Sequence, residues 1–350
     1  MKKLLKIISF FLVFAIIFCG FQKIYHYRWE ENYERYVQFE KIPSVDVVFV
    51  GTSELWSGAV PLVLYEEEGI TAFNLSHAYK ASPTFYYEIE YIIKHNKPKC
   101  IAMDFSSLYT NTRPQNNEDV YRTALYSIPD NKIRAKLLFD TLKISREPSY
   151  LFPLLRFHSM WSTCEADFSK EYQYDDIVPN YMMGWENFSD KLWDPDLEKM
   201  NRQFSPDMWE VEEADKKISK MDQKYLGMII DLARENDVKL IAVIPPKYSI
   251  AAEKSAEWKS TKKFFEENAI DYFDYNTYDS AVSCGLDWNN DFFDETHLNY
   301  KGAIKWSKIL ADDLSVLGFE DHRLESNDLA IQLNDWKNDF DSHYKKLMNN

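Results

Sequence analysis

Cysteine is scarce in this chain, and the little there is follows no pattern. Of four cysteines, Cys19 lies in an apolar run, and Cys100, Cys164 and Cys284 are widely separated and odd in number. That spacing holds no metal and builds no disulfide framework; at most one bridge can form. Positive charge is in deficit as well. A net charge of −15 offers no basic face to phosphates, which excludes nucleic acid as a partner and adhesion of the folded body to anionic lipid. A local basic pocket for a polyanionic polymer stays open. Internal repeats and low-complexity tracts are missing. No second glycine followed by Lys-Ser or Lys-Thr makes a phosphate loop. The composition is otherwise ordinary, with 45% hydrophobic and 28% charged residues in 350, enough for one large domain or two modest ones and too apolar for disorder.

Long hydrophobic runs are also few, and the clearest opens the chain. Lys2, Lys3 and Lys6 precede an uncharged stretch from Ile7 to Gln22, which reaches roughly 24 Å as a helix, a little short of a ~30 Å hydrocarbon core. Leu4, Leu5 and the snorkelling stems of Lys6 and Lys23 make up the difference. Tyr25, Tyr27, Trp29 and Tyr33 follow as an interfacial aromatic belt. No small-x-small cleavage site is visible, and Cys19 follows Phe18, a poor lipoprotein signal. The segment therefore reads as an uncleaved signal anchor over residues 1–24, with a cytoplasmic N-terminus, the body outside and a single pass through the cell membrane.

Residues 25–43 read as a juxtamembrane stalk, helical from Glu30 to Glu40. Strands and helices alternate after it. Val45–Val50, Thr71–Leu75 and Cys100–Phe105 read as three strands, with a helix of apolar period 3.6 between the last two. The rhythm breaks over 110–215, an aromatic and Asn/Asp-rich insertion with helical stretches such as Asn131–Ile144. It resumes with a helix over Glu212–Asn236, a strand in "VKLIAVIPP", a helix over Lys254–Asn268, a strand in "IDYFDY" and a long helix in "NYKGAIKWSKILADDLSVLG". An amphipathic helix over Asn327–Met348 lies in a C-terminal tail, 319–350. This alternation predicts an α/β domain over 44–318 with a five-stranded parallel sheet and helices on both faces. In such sheets ligands sit at the carboxyl ends of the strands.

After the first strand comes Gly51-Thr52-Ser53-Glu54. Glycine permits a tight turn, and the amides of the following helix start favour a developing anion. Ser53 is there either a helix N-cap or a nucleophile. Far downstream stands "DFFDETHLNYKGAIKW", with Asp294 and His297 three apart before a helix. A serine nucleophile needs an imidazole to take its proton, and the imidazole needs a carboxylate to fix its tautomer. Taken alone, Asp294 would be a turn residue and His297 a surface histidine. His77 is a rival base, though its place beside the second strand suits a structural role. Pro245, Pro246 and Lys247 read as rim residues after the fourth strand.

Both end blocks together resemble the SGNH/GDSL hydrolase superfamily. Gly51-Thr52-Ser53 matches its G-D-S block with Thr in place of Asp. Asp294, His297, Leu298, Asn299 and Gly302 match its D-x-x-H block and following helix. The resemblance covers about Val45 to Ala78, Lys99 to Ser107 and Val238 to Gly318. It implies a three-layer α/β/α, flavodoxin-like fold and a triad of Ser53 (nucleophile), His297 (general base and acid) and Asp294 (orienting carboxylate). It also implies an oxyanion hole from the Ser53 and Ser76 amides, with Ser106 and Asn74 beside them. Ser76 stands where the family has a glycine. In the third block Asp104 aligns with a glycine and Ser106 with an asparagine, a departure that bears on ordinary esterase activity. No metal or cofactor is implied.

The anchor and "GTSELWSGAVPLVLYEEEGITAFNLSHA" resemble the anchored SGNH-like proteins that accompany membrane-bound O-acyltransferases, the D-alanine transfer protein of the teichoic acid pathway being the related case. That resemblance implies acyl transfer through an acyl-serine onto a cell-envelope polysaccharide or teichoic acid-like polymer. A membrane-bound O-acyltransferase partner would supply the acyl group. Hydrolysis by the same triad, as an esterase or deacetylase, and a non-catalytic scaffold are the alternatives. The aromatic insertion suits sugar stacking, core packing or contact with the bilayer or a partner.

Overall fold

A computed structural model of the chain describes residues 2–26, 31–78, 80–105, 118–141, 152–156, 177–188, 218–247 and 256–345. Much of the insertion, Ser106 and Cys164 lie outside the described residues. Five short strands form one wholly parallel sheet: β1 (Val47–Val50), β2 (Ala72–Asn74), β3 (Cys100–Met103), β4 (Lys239–Ile244) and β5 (Asp271–Asp274), in the order β2-β1-β3-β4-β5. Each lies within a stretch whose β-branched or aromatic run predicts a strand. Val47, Val48, Phe49 and Val50 are all fully buried, as a central parallel strand covered on both sides must be. At the β5 edge, Asp271 and Asp274 pair with Lys239 (2.7 Å) and Lys262 (2.5 Å), charges that discourage edge-to-edge pairing.

Helix α1 (Lys2–His26) is long and apolar enough over Lys2–Phe21 to span a membrane, and none of that window is buried. Near its C-terminal end Phe18 meets Phe152 edge-on at 5.3 Å, next to the single turn α8 (Pro153–Arg156). The segment read as a stalk is α2 (Glu31–Lys41), and it is part of the body: Tyr36, Val37 and Phe39 are fully buried, with Phe39 against Phe73 of β2.

Two groups of helices pack beside the sheet. One holds α3 (Ser53–Gly58), α4 (Pro61–Glu68), α12 (Tyr300–Ser315) and α13 (Asp328–Phe340); the other holds α5 (Ser82–His95), α6 (Glu118–Ser127), α7 (Asn131–Thr141) and α9 (Lys220–Glu235). The turn after α4 ends on Gly69 at φ 71°, the left-handed cap that glycine adopts without strain. Between β4 and β5 runs α10 (Ala256–Glu267), and α11 (Tyr278–Ser283) follows β5. Cys19, Cys100 and Cys284 are free thiols; burial pushes Cys100 up to about 12 and Cys284 up to about 11, so neither buried one is a nucleophile at neutral pH.

Candidate active site

All five strands point their carboxyl ends at one edge of the sheet, and the site joins the residues just beyond β1 to a loop from the far end of the chain. Gly51 follows β1 because nothing larger fits. A Cβ there would stand 2.7 Å from the Asp104 Cβ and 2.8 Å from a Leu55 methyl. Thr52 takes the N-cap position of α3 with extended backbone, yet its side chain makes no capping bond. Ser53 is therefore the first residue of α3, not its cap, and its half-buried hydroxyl is released for other work.

The partner arrives from the opposite end of the chain. His297 stands on a small turned loop held by an antiparallel bridge between Phe292 and Leu298 and by Phe293 N donating to the His297 carbonyl (2.9 Å). Asn299 caps α12, its side-chain oxygen accepting from Lys301 N (2.9 Å) and Gly302 N (3.2 Å), while its amide donates to Asn290 O (2.7 Å). Gly302 is needed because a Cβ would lie 2.2 Å from the Asp291 carbonyl. These contacts give the "HLNYKG" stretch its local logic.

Loop and elbow meet where the imidazole bridges them. Nε2 of His297 lies 2.8 Å from Ser53 Oγ, and Nδ1 lies 2.8 Å from both oxygens of Asp294. A carboxylate only accepts, so Nδ1 carries the proton and Nε2 presents its lone pair to the serine hydroxyl. Burial raises the Asp294 carboxyl, but hydrogen bonds from His297 and from the Thr296 and His297 amides outweigh it and hold it at about 2. Asp294 is thus the turn residue and the orienting carboxylate at once. Phe188 packs edge-on to the imidazole at 5.4 Å, beside Phe293 (4.8 Å) and Trp56 (6.5 Å).

The second and third strand ends are arranged differently. Asn74 is fully buried and braces α3: its amide donates to Leu55 O (3.0 Å) and Ala59 O (2.9 Å), and its oxygen accepts from Ser76 N (3.0 Å). The Ser76 amide is therefore engaged internally, and the Ser76 hydroxyl is buried without a hydrogen-bond partner among the described residues. Ser106 lies outside the described residues. The Ser53 amide, at the start of α3, belongs to the helix-start donors that have no intrahelical acceptor.

His77 is engaged away from Ser53. It is fully buried, with Nε2 2.9 Å from Glu88, which also takes Lys80 at 2.5 Å. Burial and the Lys80 ammonium lower the His77 pKa against the pull of Glu88. Lys247 is not merely a rim residue either. It is 7% exposed and donates to Glu54 at 2.9 Å, which single charged letters in a loop did not signal. Phe188 was equally unmarked, because it comes from the insertion. The stretch carrying it is stitched to the body through Asn74 N to Met183 O (2.9 Å), Trp185 Nε1 to Ser57 O (2.7 Å) and Tyr300 N to Phe188 O (3.0 Å). No protein-family model and no curated protein matches the chain.

Proposed function

We propose that this chain is a membrane-anchored serine acyltransferase of SGNH type, working outside the membrane on a cell-envelope glycopolymer. The observation that carries the reading is the imidazole of His297 held between Ser53 Oγ and Asp294, both at 2.8 Å. The strand order β2-β1-β3-β4-β5 is that of doubly wound, flavodoxin-like sheets and supports a three-layer α/β/α arrangement. The apolar α1 behind three lysines supports a single-pass anchor with its N-terminus inside.

In the first half-reaction, His297 Nε2 takes the Ser53 proton as Oγ bonds to the acyl carbon. The tetrahedral intermediate then collapses, the donor's bond to the acyl carbon breaks, and His297 returns the proton to the leaving group. Asp294 steadies the transient imidazolium. In the second half, a sugar or polyol hydroxyl gives its proton to the same nitrogen and takes the acyl group, freeing Ser53. The acyl donor is a product of a membrane-bound O-acyltransferase partner. Water can replace the polymer hydroxyl, because Ser53 and His297 are both partly exposed, and this favours hydrolysis as the second reading. Incubating the full chain with an acyl ester and an acceptor glycan separates the two. Ser53-dependent acyl-glycan is expected; free acid alone would establish the hydrolase, and acyl transfer unchanged in Ser53→Ala would defeat both.

A further inference from the structure

The side chains of the two residues flanking the nucleophile meet each other and one buried partner each. Thr52 donates its hydroxyl to Asp104 Oδ2 at 2.5 Å, and its amide lies 3.3 Å from the same oxygen. Glu54 accepts from the Lys247 ammonium at 2.9 Å through one oxygen, and its other oxygen is the alternative acceptor for the single Thr52 hydroxyl proton. Asp104 follows β3 and is fully buried; Lys247 follows β4 and is 7% exposed. Strand β3 lies between β1 and β4, so the elbow is fastened to the next two strand ends on that side of the sheet. Two of the positions that depart from the family pattern, Thr52 and Asp104, are in direct contact.

Buried charges are costly to desolvate and are worth keeping where they fix a geometry. Here there is a geometry to fix. Helix α3 spans only Ser53–Gly58, and its N-cap side chain makes no capping bond. His297 is held by a separate loop, through Asp294, Asn299 and Gly302. The register between hydroxyl and imidazole therefore depends on where the elbow sits. We propose that Lys247, acting through Glu54, and Asp104, acting through Thr52, are positioning residues that set the Ser53–His297 alignment. This rests on the serine-nucleophile reading.

The test uses the full chain in bilayer nanodiscs and an alkyl fluorophosphonate. Ser53 Oγ bonds to phosphorus, fluoride leaves, and the serine proton departs through His297. Misalignment by about 1 Å costs up to ~100-fold. Lys247→Met is expected to lower the maximal labelling rate about 10- to 100-fold while half-saturation stays within about twofold, the signature of lost alignment with intact binding. Adding Glu54→Gln to Lys247→Met removes the stranded carboxylate and is expected to recover part of that loss. Asp104→Asn keeps an acceptor for Thr52 and is expected to lose less than Asp104→Ala.

Should Lys247→Met fail to fold, Glu54→Gln alone, nearly isosteric, decides by the same rate. Wild-type labelling rates in folded Lys247→Met or Glu54→Gln, or a change confined to half-saturation, overturn the positioning proposal alone. A wild-type chain that is not labelled, or is labelled equally as Ser53→Ala, overturns the nucleophile reading and the proposal with it.

Discussion

The two halves of the site are built to different standards. On the proton-relay side, every contact is in place: Ser53 to His297, His297 to Asp294, and backbone amides onto Asp294. At the β2 end, the Ser76 amide is taken up by Asn74 inside the body. A triad that moves protons is not yet a site that stabilises an oxyanion, and the second task carries ~3–4 kcal/mol per donor in acyl transfer. On the proposed serine-nucleophile reading, the relay contacts are already assembled, whereas at the β2 end a donor must be released from Asn74 for Ser76 to serve.

Breaking the relay has the largest effect. Ser53→Ala or His297→Ala is expected to reduce acylation about 10⁴- to 10⁶-fold, read as burst amplitude and turnover of an activated ester. Asp294→Asn keeps the shape but permits the wrong tautomer, and about 10⁴-fold is expected in turnover. Because Asp294 is held at about 2, below its ordinary 3.8, its contribution to stability is present above the ordinary value and is lost as pH falls through the folded one. The thermal midpoint of the wild type should therefore fall between about pH 4 and pH 2 more steeply than that of Asp294→Asn.

How far the sequence exposes this contrast can be followed residue by residue. Val47–Val50 is visible as a strand because a two-sided buried strand must be apolar throughout, a local property. Ser53, Asp294 and His297 are visible because chain order, loop context and chemistry coincide, although Ser53 and His297 lie 244 positions apart. Lys247 was hidden because whether a loop lysine is buried depends on a carboxylate nearly two hundred positions away. Asn74 was hidden for the opposite reason. It was legible as a site residue, but its side chain points into the body to brace α3. Helix α2 misled through composition, since charged neighbours conceal that Tyr36, Val37 and Phe39 face inward.

The β2 side can be probed by splitting the two jobs of Asn74. Asn74→Asp keeps an acceptor for Ser76 N and removes the donors to Leu55 O and Ala59 O. Leu55 O keeps its bond from Ala59 N, but Ala59 O loses its Asn74 donor; an unsatisfied buried carbonyl costs ~1–3 kcal/mol, so a loss of about 1–3 kcal/mol is expected in urea unfolding. Asn74→Ala also frees the Ser76 amide. If that amide serves the oxyanion, Asn74→Ala should retain more turnover per folded molecule than Asn74→Asp; the reverse order would leave Ser76 out of the hole. A comparable loss is expected for Gly302→Ala, whose new methyl meets the Asp291 carbonyl. Overpacking of this kind costs ~1–3 kcal/mol and would displace the His297 loop from its end of the relay.

The smallest effect sharpens the comparison from outside the sheet. Phe188 comes from the insertion, yet its ring is edge-on to His297 and beside Phe293. Ring contacts of this kind are worth ~0.5–1.5 kcal/mol beyond burial, so Phe188→Ala is expected to slow turnover by only about two- to tenfold. Which half-reaction slows is the informative part. An acceptor hydroxyl must approach His297 Nε2, and the Phe188 ring lies edge-on to that imidazole at 5.4 Å, where it would line the approach. Loss of the ring should then raise the half-saturating concentration of the acceptor glycan and leave the acylation burst at its wild-type rate. A slowed burst with unchanged acceptor dependence would instead make Phe188 a brace for the imidazole, an extension of the finished half of the site and no part of the acceptor path.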